Sequence, residues 1–367
     1  MGNYDVAAYF WPAFTGDDGR SRIFWPDGNG EWETVAAAEK RFEGHSWPRK
    51  PVWGYVNEAD PNVMEMEIAA AKAHGVNVFI YDWYMYDNRP YLENCLNDGF
   101  LKARNRSLMK FYIMWANHDV TYGWDRRIAD VDTDTVVWSG MADERQFEKI
   151  GKRWIEKYFT LPEYYKIDGK PVLSIYDLQN FIAGLGGLEN AVGAMNWLDG
   201  EAKKSGLPGV HFQHIKYGTA LTNKSGFDKP SNMENTADVI RRMPFDSLTH
   251  YQFVHFTKMG RDYNEILADV FKEWENIDKN FDIPYYPHIS IGWDNTPRYK
   301  SHIKDVTTGN SPQAFESALT AAREYADKHN VSLITLNSWN EWTETSYLQP
   351  DDLNGYGYLE AVKKVFK

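Results

Sequence analysis

The chain has 367 residues, a formal net charge of -12, 43% hydrophobic and 25% charged residues, which suits a soluble globular protein with a sizeable core. The acidic balance argues against nucleic acid or an anionic membrane as partner, since both need a basic footprint. A single cysteine, Cys95, excludes an internal disulfide and a cysteine metal cage, and no apolar run is long enough to span a bilayer.

Short apolar β-rich runs recur along the chain, each followed by a helical pattern. The first strand is expected over Asp5–Phe10, with a long segment, Trp11–Ala59, after it. A helix follows at "DPNVMEMEIAAAKAHG", with Asp60 as N-cap, Pro61 in the first turn and Gly75 as terminator. The second strand is expected over Val76–Trp83, then a helix over Tyr91–Ser107. The third, Met109–Ala116, precedes the long segment Asn117–Ala142 and a helix over Asp143–Phe159. The fourth, Lys170–Tyr176, leads to a helix over Leu188–Ser205. The fifth, Gly209–Ile215, precedes the segment Lys216–Ser231 and a helix over Asn232–Arg242. The sixth, Asp246–Phe253, carries the weakest signal and is followed by a helix over Tyr263–Lys279. The seventh, Pro284–Gly292, precedes a helix over Pro312–Lys328. The eighth, Val331–Ser338, precedes a last helix over Gly355–Phe366.

This alternation predicts an α/β chain folded as one (β/α)8 TIM barrel over residues 1–367, with a doubly wound sheet plus appended domain as the alternative. No composition break divides the chain. The three long segments all follow strand C-termini, which puts them on the catalytic face of a barrel. No signal peptide precedes the first strand. The compartment therefore stays open, periplasmic or cell-surface if a leader has been removed.

Strand ends are where barrel chemistry sits, and here nearly every one carries a polar or aromatic group. Tyr9 and Trp11 stand at the end of strand one, and Asp82, Trp83 and Tyr84 at the end of strand two. Asn117, His118 and Asp119 follow strand three, and His250 and Tyr251 lie in strand six. Trp293, Asp294 and Arg298 follow strand seven, and Glu341, Trp342 and Glu344 follow strand eight. Aromatic faces beside carboxylates, amides and imidazoles suit a sugar, whose ring stacks while its hydroxyls hydrogen-bond. Trp11, Trp83, Tyr84 and Trp293 are expected to line sugar subsites. His118, Asp119, Asp82 and Asp294 are expected to hold ring hydroxyls. Each alone has a duller explanation as a core or capping residue.

Other chemistries fit poorly. There is no GxxxxGK[ST] loop and no GxSxG elbow. The two histidines of "HFQH", His211 and His214, point to opposite faces of a strand. No metal site and no cofactor are expected. The DxD match Asp132-Thr133-Asp134 lies far from any nucleotide-binding context and reads as chance.

Glu341 and Glu344 are three apart. In one helical turn such positions have Cβ atoms roughly 5–6 Å apart, and a retaining glycosidase holds its carboxyl groups about 5–5.5 Å apart. A turn directly after strand eight would therefore supply the pair from one segment. Two acids so close in an aromatic setting should share roughly one proton near neutral pH. Trp339 and Trp342 are expected to shield the pair and help shape the sugar pocket.

"NSWNEWTETSYLQPD" resembles the NEWxE motif of glycoside hydrolase family 99, the endo-α-mannosidases, and more closely the WbsX-like proteins, relatives of that family often described as glycosyltransferases. "GYVNEADPNVMEMEIAAAKAHGVNVFIYDWYMYDN", "KFYIMWANHD" and "GWDNTPR" are similar to WbsX-like segments, so the likeness runs from Tyr9 to Asp351. The resemblance implies a (β/α)8 barrel acting on an oligosaccharide or polysaccharide with retention. It implies that Glu341 is the base on the sugar's own 2-hydroxyl, giving a 1,2-anhydro sugar, and that Glu344 is the general acid/base. On these roles Glu341 should be the ionised member of the pair and Glu344 the protonated one. It also implies 1,2-trans substrates such as α-mannosides or α-rhamnosides, probed from long loops suited to endo action. A WbsX-type glycosyltransferase of surface-polysaccharide assembly is the alternative, and a binding barrel without catalysis a third reading. Thr345 stands where the family motif has Gly.

Overall fold

A computed structural model of the protein describes residues 4–16, 18–217, 236–303 and 305–367. Eight parallel strands form the barrel: β1 Asp5–Phe10, β2 Val78–Tyr86, β3 Lys110–Trp115, β4 Lys170–Ile175, β5 His211–Ile215, β6 Ser247–Thr249, β7 His288–Ser290 and β8 Leu333–Asn337. Their order is β6-β5-β4-β3-β2-β1-β8-β7. Register runs Ala7↔Val78 between β1 and β2, and Asp5↔Leu333 between β1 and β8. A single parallel bridge, Leu248↔Tyr285, joins β6 to the approach of β7, so the ring is nearly closed. The (β/α)8 barrel expected from the alternation is the observed architecture.

Around it lie α1 Pro61–Ala73, α2 Glu144–Trp154, α3 Leu188–Lys204, α4 Thr236–Arg242, α5 Tyr263–Asn280, α6 Pro312–His329 and α7 Gly357–Phe366. Local signals set their ends. The Asp60 side chain accepts from the Asn62 backbone N–H with Pro61 in the first turn, and Gly75 (φ +96°) ends α1 in a conformation that suits glycine. Asp143 and Gln146 form a reciprocal capping box on α2. Each helix buries one stripe against the sheet, as Phe147, Ile150 and Trp154 do for α2.

Several expected elements differ; strand seven, expected over Pro284–Gly292, forms only His288–Ser290, and the helix expected over Asp143–Phe159 ends in a π turn at Ile155–Phe159. The helix expected over Tyr91–Ser107 is broken into a π turn at Cys95–Gly99 and 3-10 turns at Phe100–Lys102 and Arg106–Leu108. The chain there first doubles back, Arg89–Tyr91 pairing antiparallel with the end of β2. Gly99 also lies directly against the Glu58 carbonyl, where a Cβ would come within 2.2 Å of the oxygen, so the backbone approaches too closely for regular helix packing. Strand six stops at Thr249 instead of Phe253, because the Gln252 side chain caps a 3-10 turn at Phe253–His255. Of the long segment expected after strand five and the start of its helix, residues 218–235 lie outside the described residues.

The barrel interior is polar. Ser174 and Tyr112 donate to Gln213 Oε1 (2.6 and 3.1 Å), and His288 bridges Thr335 and Ser290 (3.0 and 2.9 Å). Above this layer the strands end in the candidate site.

Candidate active site

After β8 the chain passes a cis Asn337–Ser338 peptide and forms a small hairpin. Asn340–Glu341 pairs antiparallel with Ser346–Tyr347 across a 3-10 turn, Trp342–Glu344. The turn that the spacing of Glu341 and Glu344 called for is therefore present. Ser338 Oγ accepts from the Glu341 backbone N–H (2.7 Å), which fixes the entry.

Arg298, from the 3-10 turn Thr296–Arg298 after β7, reaches across this hairpin. Its Nη2 donates to Glu341 Oε1 and its Nη1 to Glu344 Oε1, both at 2.8 Å, while Nε donates to Thr343 Oγ1 at 2.9 Å. Two carboxyl groups are thus gripped by separate nitrogens of one planar fork, a geometry that lysine cannot supply. A third carboxylate, Glu31, lies behind: its Oε1 is 3.5 Å from Arg298 Nε and accepts from Thr343 Oγ1 (2.9 Å), and its Oε2 accepts from Trp11 Nε1 (2.5 Å).

Strand alternation decides which strand-end residues enter the site. On β2, Asp82 and Tyr84 face inward and Trp83 outward. Asp82 Oδ2 accepts from Tyr251 Oη (3.0 Å), whose oxygen also lies 3.4 Å from Glu341 Oε2. Tyr251 stands edge-on to Tyr9 (4.7 Å) and Tyr176 (5.2 Å), and Tyr9 forms the floor, its hydroxyl donating to the His250 carbonyl. One wall is aromatic: Tyr84 meets Trp11 (5.7 Å), His118 (5.6 Å) and Trp124 (6.0 Å) edge-on. Two carboxylate oxygens in this region, Asp82 Oδ1 and Glu344 Oε2, are buried with no hydrogen-bond partner among the described residues.

Of the residues singled out in the sequence, Glu341, Glu344, Arg298, Asp82, Tyr251, Tyr84, Trp11, His118 and Tyr9 come together here. The others stand elsewhere. Trp83 lies between sheet and helices, 5.3 Å from Trp154, its indole N–H on Glu93. His250 also points outward, stacked on Phe256 (3.9 Å) and bonded to Tyr285. Trp342 stacks on Tyr347 (3.8 Å) and donates to Gln349, and Trp339 donates to Glu67. Both tryptophans anchor the hairpin from behind and do not shield the acid pair.

Asn117 ties the end of β3 to Asp177 and Asn180. Asp119 accepts from Gly140 N–H and Asn180. Asp294 accepts from His45 Nε2 (2.8 Å) and the Thr296 N–H. All three therefore staple loops to one another, and their oxygens are turned toward protein partners. Trp293 is half-buried, and its carbonyl accepts from Thr307 N–H.

Glu31, Thr343, Tyr176 and Trp124 escaped the sequence reading. Tyr176 follows directly on β4 and ends the fourth strand as expected from sequence, so strand-end logic applied there finds it. Glu31 directly precedes a short helix, Trp32–Ala36, inside a long connection, and only its contacts with Arg298, Thr343 and Trp11 mark it.

Electrostatics follow from burial. Glu341 is held well above the usual carboxylate range, first by burial and then by the Glu344 charge, with Arg298 opposing and Glu31 and Asp82 adding. Glu344 is raised by burial, with Arg298 opposing. Burial and the shared cation act on both acids, which therefore titrate as one unit. Burial also raises Asp82, and it holds His118 below the usual imidazole value, with Arg298 adding to the effect.

Thr345, at the Gly position of the motif, adopts φ +56°, ψ +36°, a left-handed conformation costly for a β-branched residue. Its hydroxyl donates to the Asp294 carbonyl (2.7 Å) and accepts from Trp47 Nε1 (2.8 Å), while Asp294 N–H donates to the Glu344 carbonyl (2.8 Å). These bonds offset the strain and lock the β7 and β8 loops together. Thr345→Ala keeps the strain and loses the bonds. It should cost about 1–3 kcal/mol in urea unfolding, and Thr345→Gly clearly less, since glycine removes the strain.

The family model described as Glycosyltransferase WbsX matches residues 6–362. The "Uncharacterized protein WxcX" of Xanthomonas campestris pv. campestris (strain B100) is 24% identical over 351 residues, 93% of this chain and 46% of the relative. The chain thus spans about half the length of the curated relatives it matches. Among solved structures, the GH99 endo-alpha-mannosidase from Bacteroides thetaiotaomicron superposes with a TM-score of 0.61 at 14% identity, covering 99% of this chain and 96% of that one. A "Glycoside hydrolase-like protein" gives a TM-score of 0.61 at 15% identity, covering 100% and 95%. At these identities the structural likeness establishes the barrel fold.

Proposed function

The chain belongs to the WbsX glycosyltransferase family, and we propose that it acts as a retaining glycoside hydrolase on 1,2-trans glycosides with a free 2-hydroxyl. The observation that carries this reading is the pair of buried Glu341 and largely buried Glu344, held by the two outer nitrogens of Arg298, with Glu344 Oε2 unpartnered among the described residues. That oxygen has no protein partner among the described residues, which leaves it the one to serve a glycosidic oxygen. The reaction starts with the proton on Glu344 and the charge on Glu341.

Ionised Glu341 then takes the proton of the 2-hydroxyl. O2 attacks the anomeric carbon as the C1–O bond breaks, and Glu344 gives its proton to the departing oxygen. The product is a 1,2-anhydro sugar and a free aglycone alcohol. In the second step Glu344 accepts a proton from water, the water oxygen attacks C1, the C1–O2 bond opens, and Glu341 returns its proton to O2. Two inversions give net retention. Arg298 keeps the pair from sharing a second proton, and Tyr251, hydrogen-bonded to Asp82, borders the Glu341 side. α-Mannosides and α-rhamnosides satisfy the 1,2-trans requirement. The long loops after β1 and β3 suit endo action on a polysaccharide.

The test is release of reducing sugar from mannans, rhamnose-containing glycans and bacterial polysaccharides without any sugar nucleotide, with the first-formed anomer read by NMR. Release with retention is expected. Transfer dependent on a sugar nucleotide, with no hydrolysis, would instead establish the glycosyltransferase reading that the family description suggests. The DxD match gives that reading little support: the Asp132 carboxylate is engaged by the Asp134 and Thr135 N–H groups of its own turn.

A further inference from the structure

Behind the hairpin lies a second pair of acids that the mechanism does not use. Glu58 and Glu67 are both 0% exposed, and among the described residues no Lys or Arg pairs with either. Their partners are neutral side chains of the hairpin and its exit. Asn340 Nδ2 donates to both Glu58 oxygens (3.0 and 2.9 Å), and Trp339 Nε1 donates to Glu67 Oε2 (2.9 Å). The Gln349 amide nitrogen bridges the two acids, at 3.0 Å from Glu58 Oε1 and 3.2 Å from Glu67 Oε1.

We propose that Glu58 and Glu67 are positioning residues for the acid/base hairpin, a buried carboxyl pair that fixes Trp339, Asn340 and Gln349 and so the backbone carrying Glu341 and Glu344. The connection continues forward. Asn340 Nδ2 also donates to the Trp11 carbonyl (2.7 Å), and its Oδ1 accepts from the Trp11 N–H (2.8 Å). The Trp11 indole in turn holds Glu31, which holds Thr343. An unbroken chain of hydrogen bonds thus runs from Glu58 to the turn between the two catalytic acids.

Why acids, where a hydrophobic filling would cost less to bury? Two amide N–H groups and an indole N–H converge from one side, and leaving such donors unpaired in a dry space is costly. Carboxyl oxygens accept from all of them at once. Burial and the Glu67 charge hold Glu58 well above its usual range, and burial pushes Glu67 up to about 8. Glutamine at position 58 keeps the volume but turns an NH2 toward the Asn340 NH2, so the clamp opens while the core stays filled.

Only the kinetic arm of the test rests on the glycosidase reading. Hydrogen exchange of the wild-type chain, Glu58→Gln and Glu67→Gln is compared segment by segment, together with kcat and KM on whichever glycan wild type cleaves. Exchange over residues 336–349 should rise roughly tenfold or more in Glu58→Gln, with β3 and β4 unchanged. For an active wild type, kcat should fall at least about 30-fold with KM within about threefold. A wild type without glycosidase activity removes the functional reading, yet the exchange arm still decides the clamp. Glu67→Gln, at the far end of the network, serves if the first variant does not fold. Unchanged exchange in 336–349, a loosened hairpin with unchanged kcat, a uniform rise in all segments, or unfolding of both variants would overturn the proposal.

Discussion

Glu341→Gln is expected to abolish turnover on every glycoside, whereas Glu344→Gln should spare activated substrates. The two acids share a hairpin and a cation, yet the proposed chemistry asks different things of them. Without Glu341 nothing deprotonates the 2-hydroxyl, and O2 of an intact hydroxyl is a poor nucleophile whatever the leaving group. A loss of about 10⁴-fold or more is expected, roughly 5 kcal/mol of transition-state stabilisation. Glu344 assists departure, so its removal should cost about 10²–10⁴-fold on a sugar alcohol leaving group but far less on a nitrophenyl glycoside, which departs as a stable anion. The measurement is kcat/KM for both variants on both substrate types. Equal losses on both types for Glu344→Gln would contradict the assigned roles. Full activity in Glu341→Gln would remove the mechanism.

Much of the barrel was legible because its signals are local and repeated. Strand runs such as "KFYIMW" and helix caps such as Asp60-Pro61 depend on their own neighbours. The second helix failed for a non-local reason: Gly99 is pressed against the Glu58 carbonyl, a contact more than 40 residues distant that no periodicity reports. The site divides in the same way. Glu341, Glu344 and Arg298 were found because a motif and a strand end marked them. Trp83 and His250 were misplaced because adjacent strand residues point to opposite faces, and the strand limits had to be known to within one residue. Asp294 and Asp119 lie at the rim, but protein donors already engage them. Trp339 and Trp342 looked like pocket walls because the stretch places them beside the acids. The short hairpin turns their rings backward, onto Glu67 and Tyr347.

Arg298→Met should lower kcat/KM by about 10³-fold and shift both pH profiles, because this one guanidinium does two jobs. It orients Glu341 and Glu344 through separate nitrogens, and it opposes the burial that favours their protonated forms. Removing it leaves two buried carboxyl groups uncompensated, a change that typically costs about 3–5 kcal/mol when such a pair is broken. The sign of the pH effect follows from direction. Both acids are already raised above their unfolded values, and loss of the cation raises them further. A group raised in the folded state stabilises fully below its unfolded pKa, near 4.5, and that stability is lost as pH rises through the folded value. The variant should therefore melt close to wild type at about pH 4.5 and fall progressively behind it toward pH 8. Activity moves the opposite way. Catalysis needs one ionised acid, so the acidic limb of the kcat/KM profile should shift to higher pH. Arg298→Lys separates the two jobs. A lysine restores a positive charge and so part of the stability at neutral pH, but one ammonium cannot hold both carboxylates in the fork geometry. Its turnover should remain depressed at least about 100-fold. A lysine variant that recovers turnover along with stability would show that charge alone matters, and that the two-nitrogen grip seen here has no part in placing the acids.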